Sequence, residues 1–114
     1  MDQEILRAAQ IDYEHGKARF MGNGALYERM LGTFKKDTCL ERARAALDAG
    51  DLDEVMARVH EVKGVSGNLD MTALYQAACD VVNCLRKQND HDQRADFAKF
   101  EAAYVAVKDA LERA

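Results

Sequence analysis

Residues 52–69 read LDEVMARVHEVKGVSGNL, and this stretch decides the fold. Leu52, Val55, Met56, Val59, Val62, Ser66 and Leu69 recur at the spacing of one helix face, an amphipathic stripe of period 3.6. Two glycines, Gly64 and Gly67, interrupt that helix, and each costs about 1 kcal/mol against alanine in a helix interior. They follow the lone histidine of the segment, His60, by four and seven residues. With His60 at zero on a helical wheel, Gly64 and Gly67 fall within roughly 40°, Met56 roughly 40° away and Lys63 roughly 60° to one side. The centre of the apolar stripe lies roughly 120° from His60, so the imidazole points away from the core. Glu54, Arg58 and Glu61 take the solvent side.

Outward from this helix the chain keeps the same character. It has 114 residues, enough for one domain spanning 1–114 with a single hydrophobic core. Proline is absent, alanine abundant and β-branched residues few, which predicts an all-α fold. Ile11–Met21 reads as a short helix stopped by Gly22-Asn23-Gly24. Leu26, Tyr27, Met30, Leu31 and Phe34, then Cys39, Ala43, Ala46 and Leu47, mark a second segment with a charged, bent middle at Lys35-Lys36-Asp37. Gly50 is placed to end it and Asp51 to cap the next helix. A fourth segment carries Leu74, Ala78, Val81 and Leu85, and a fifth carries Phe97, Phe100, Tyr104, Val107 and Leu111. Short connections between these segments predict an antiparallel up-down-up-down four-helix bundle with a short extra N-terminal helix.

The net charge of −4 makes the chain a poor nucleic-acid binder, and no apolar run approaches the length of a membrane span. The start MDQEILRAAQ is too charged for a signal peptide. Cys39, Cys79 and Cys84 are odd in number and form no CxxC, which fits free thiols in a reducing cytoplasm. No HxxxH, HExxH or CxxC occurs, so no metal site is expected. No phosphate-binding glycine loop occurs either, so any phosphoryl group must come from a separate donor.

On the histidine face, a neutral imidazole nitrogen is a good nucleophile near neutral pH. Lys63, one turn on, can offset charge on an oxyanion held there. Glycines at i+4 and i+7 remove side chains that would crowd the ring. The competing reading is a surface histidine beside glycines that allow close helix packing; glycines serving that purpose should lie on the apolar stripe, and these do not.

The run from His60 to Leu69, HEVKGVSGNL, resembles the HxxKGxSxxL signature of histidine-containing phosphotransfer (HPt) domains. IDYEHGKARFMGNGALYERMLGTF resembles the family's N-terminal helix, Gly-rich turn and second helix, and ALDAGDLDEVMARVHEVKG its approach to the histidine. The resemblance runs from about Ile11 to Leu111 and is strongest between Leu47 and Leu69. It implies that His60 takes a phosphoryl group from a receiver-domain aspartyl phosphate and passes it to another receiver. Lys63 would be the charge partner, Gly64 the clearance residue and Ser66 the small residue of the motif. It implies no kinase activity and no cofactor held by this chain, with Mg²⁺ supplied by the receiver.

Two positions depart from the family pattern. Asp70 stands where the signature usually continues with glycine, and Glu61 is more acidic than the small residue common there; the latter is expected to tune partner choice. Met56, Gly67, Phe20 and Met21 are expected to form the surface that receivers of response regulators and hybrid kinases dock on. Arg86, on the antiparallel fourth segment, is a candidate to approach the phosphoryl group. A monomer is expected. His15 and His91 have no ligand-spaced partners, and changing either should be silent. The alternatives are a helical adaptor that binds a receiver without accepting phosphate, and a cofactor- or metal-binding bundle.

Overall fold

A computed structural model describes all 114 residues. It is all-helical, with seven helices: α1 (Gln3–Ala8), α2 (Tyr13–Arg19), α3 (Gly24–Phe34), α4 (Cys39–Asp48), α5 (Leu52–Asn68), α6 (Thr72–Leu85) and α7 (Gln93–Arg113). Helix α5 packs between α4 and α6, α6 packs on α7, and α3 closes the bundle against α7. No helix is long and apolar enough to cross a membrane.

The periodic residues do what their spacing requires. Val55, Val59, Val62, Ser66, Leu74, Ala78, Val81, Phe97, Phe100, Tyr104, Val107 and Leu111 are all buried. Leu52 is not; it is the first residue of α5 and stands clear of the bundle. Met30 is also outside the core, 39% exposed. The junction before α5 forms as its residues suggest: Gly50 takes φ +74°, and the Asp51 carboxylate accepts from the Glu54 N–H at 3.2 Å.

Two features correct the expectation. The N-terminal region holds two short helices rather than one, because α1 is fixed by tertiary contact: Leu6 is fully buried and α1 lies along α7. There the two chain ends meet, with the Asp2 N–H donating to the Ala114 carbonyl at 3.4 Å. The second segment is likewise two helices, broken at residues 35–38.

That break is held from across the bundle. Lys108 Nζ donates to the carbonyls of Lys35 (2.8 Å) and Asp37 (2.7 Å). Tyr104 donates its hydroxyl to the Asp37 carboxylate, and burial followed by this bond pushes the phenol pKa up. Thr38, the N-cap of α4, makes no side-chain cap; Asp37 supplies one, accepting from the Cys39 N–H at 3.0 Å. Charge-assisted bonds of this kind contribute about 1.5–3 kcal/mol each, and lost partners leave carbonyls unpaired. Lys108→Met is therefore expected to lower stability by about 2–3 kcal/mol in a urea melt.

Candidate functional site

Helix α5 presents His60 on its exposed face, as the wheel requires. The structure separates this imidazole from the other two. His15 Nδ1 is bonded to an Asp70 oxygen at 2.7 Å, and His91 Nδ1 to an Asp96 oxygen at 2.9 Å. His60 is exposed and makes no hydrogen bond or ion pair within the chain, so neither ring nitrogen has a partner.

His60 lies in an open groove of about 680 Å³. Lys63, Gly64 and Gly67 line it from α5, Tyr75 and Gln76 from α6, and Arg19 from α2. Lys63 is half-buried and has no carboxylate partner in the chain. Lys63 is thus a cation in the groove of His60 that no acid of the chain neutralises.

The two glycines have different reasons. A Cβ on Gly64 would meet nothing within 4 Å, so packing does not ask for glycine there. A Cβ on Gly67 would lie 3.0 Å from the Tyr75 ring. Gly67 makes room for Tyr75 although it lies off the apolar stripe, because the antiparallel α6 overhangs the stripe's edge. The expectation that an off-stripe glycine cannot serve packing therefore fails at Gly67 and stands at Gly64.

Asp70 follows α5 with φ +56°, the left-handed geometry that glycine adopts most easily. The Met71 N–H returns to the Ser66 carbonyl at 2.9 Å, the closing bond of a Schellman turn. The Asp70 carboxylate is buried and accepts from Arg19 Nε at 2.8 Å as well as binding His15. The surrounding backbone is pinned too. Ile11 and Met71 form an antiparallel bridge, and the Tyr27 hydroxyl donates to the Leu69 carbonyl at 2.6 Å. Aspartate here ties α2 to the end of α5, which a glycine could not do.

The other candidates are spread around this groove. Met21 is 97% exposed and Phe20 half-buried; Phe20 borders a second hollow with Met30, Phe34 and Val65. Met56, one turn before His60, is half-buried against the core. Arg86, exposed at the C-cap of α6, is not among the groove residues; that helix contributes Thr72, Tyr75 and Gln76 instead. Glu61 is occupied within the chain, accepting from Arg58 at 3.1 Å and from the Cys39 thiol at 2.9 Å. Burial first, then Glu61, pushes the Cys39 thiol pKa up, so it stays protonated and donates. Sequence reasoning missed Tyr75 and Arg19. For Tyr75 the signal was available: an aromatic residue one position off the stripe of Leu74, Ala78 and Val81.

Comparison with curated proteins and with solved structures gives no match. The family model of the Hpt domain matches residues 29–114, about three quarters of the chain. That span holds α4 to α7, the free imidazole and its lysine, while α1 and α2 lie outside it. The chain thus belongs to the Hpt family, the histidine phosphotransfer domains of phosphorelays.

Proposed function

We propose that this protein carries a phosphoryl group on His60 between two receiver domains. The single observation that supports this most is the state of the three imidazoles: two have Nδ1 engaged by a buried aspartate, and His60 alone is free in a groove with an unpaired lysine. In the proposed step the lone pair of His60 Nε2 attacks the phosphorus of the receiver's aspartyl phosphate in line. The N–P bond forms as the bond from phosphorus to the carboxyl oxygen breaks, and the receiver's aspartate leaves as a carboxylate. The receiver brings the Mg²⁺. Lys63 faces the phosphoryl oxygens, and Gly64 leaves room for the approaching domain. Met56, Phe20 and Met21, with the exposed Met30, supply apolar contact area beside the histidine. The chain acts as a monomer and has no kinase activity of its own.

The test is incubation with a receiver domain charged with radiolabelled acetyl phosphate. Transfer should give a label on this protein that is lost in acid and stable in base, as a phosphoramidate is. Binding of the receiver without label would overturn the carrier reading and leave an adaptor.

A further inference from the structure

Arg19 gives only its Nε to Asp70, at 2.8 Å. Its two outer guanidinium nitrogens have no hydrogen-bond or ion-pair partner in the chain, and the side chain is 48% exposed. It lines the same groove as His60 and Lys63. Asp70 is the one carboxylate in that groove, it is buried, and both its oxygens are taken, one by Arg19 and one by His15. A chain of net charge −4 thus presents, around its free histidine, cations and no free acid.

Arg19 is anchored at Asp70 and not at His60. Helix α5 ends at Asn68, eight residues beyond His60, about 12 Å along the axis at 1.5 Å per residue, and Asp70 lies past that end. That is beyond contact with a group on the imidazole. It is well inside the footprint of a docked protein, which covers about 800 Å² on each partner. A guanidinium whose Nε is fixed and whose outer edge is free is a planar two-donor fork, shaped for a carboxylate. Holding it has a cost, since aspartate in left-handed geometry is less favourable than glycine. Arg19 stands on α2, outside the span 29–114 that the Hpt family model matches.

On the phosphocarrier reading, we propose that Arg19 determines receiver specificity: its free edge meets an acidic side chain on the rim of the receiver's docking face. Asp70 is the positioning residue that aims it. A rim charge of this kind changes the rate of encounter, and its effect fades as salt shortens the screening length from about 10 Å at 0.1 M to about 3 Å at 1 M.

The experiment compares two phosphodonors on the full chain. One is the acetyl phosphate-charged receiver that labels the parent fastest. The other is phosphoramidate, a small molecule that needs no docking surface. Arg19→Glu should slow transfer from the receiver roughly ten-fold at about 20 mM NaCl, narrowing to about two-fold at about 500 mM. Arg19→Met, which keeps the stem, should fall between parent and Arg19→Glu. Asp70→Gly, which suits the turn but releases the guanidinium, should resemble Arg19→Met. Labelling by phosphoramidate should stay parental in all three. A parental rate and salt slope for Arg19→Glu would overturn the proposal, as would equal slowing with both donors, which is the mark of a damaged fold. A parent that takes label from neither donor would instead overturn the phosphocarrier reading, and this proposal with it.

Discussion

His60→Gln is expected to reduce phosphoryl uptake from a charged receiver to assay background while leaving the thermal melt where the parent has it. The imidazole is exposed and bonded to nothing in the chain, so removing it leaves no partner unsatisfied. Glutamine also suits a helix at least as well as histidine does. The other two histidines give the opposite result. His15→Gln and His91→Gln should take up label at the parental rate yet melt earlier, since each leaves a buried carboxylate short of a partner. A loss of about 1–3 kcal/mol is expected for each. The silence expected of them from spacing alone is thus kept as the expectation for uptake and revised for stability, because each imidazole is bonded to a buried aspartate. Label retained by His60→Gln would remove His60 as the acceptor.

The second large effect is at Gly64. Gly64→Gln should stabilise the fold by about 0.5–1 kcal/mol, because glycine is the poorest ordinary helix former and the added side chain meets open space. The same side chain stands one turn from His60 on its own face, which on the proposed carrier role is where the receiver approaches. Transfer from a receiver should fall at least ten-fold, while phosphoramidate labelling falls little. Gly67 supplies the control. Gly67→Ala should gain less stability than Gly64→Ala, since its Cβ lies 3.0 Å from the Tyr75 ring and the ring must yield. Urea melts of the three variants, run beside transfer assays, check both statements. A destabilised Gly64→Gln with transfer intact would return that glycine to a packing role.

Much of this arrangement was legible because it is local. The stripe of α5, the outward histidine, the Gly50–Asp51 junction and the bend near Lys35 all follow from residues within a turn or two of one another. Helix α1 was not legible: six residues carry too little periodicity, and α7 supplies the reason they are ordered. Gly67 was misread because a helical wheel gives a direction but not what lies in that direction, here a tyrosine from the next helix. Arg86 was placed only by the antiparallel run of its segment, which gives height along α6 but not which residues border the groove. Asp70 showed only as a departure from a glycine. Its partners, His15 and Arg19, stand 55 and 51 residues away in sequence, and no local pattern connects them.

The clasp between Asp2 and Ala114 has a practical consequence for anyone who attaches something to this domain. Both ends of the chain leave the surface at one place, on the α1–α7 edge. A tag or fused domain at either end therefore crowds the other end and competes with the contacts that seat Leu6. Conversely, a short Gly/Ser bridge could join the ends into a ring, and the chain could be reopened in the exposed turn at Lys87–Gln88. Such a permutant would carry its cargo from the α6–α7 turn and leave the α1–α7 edge undisturbed.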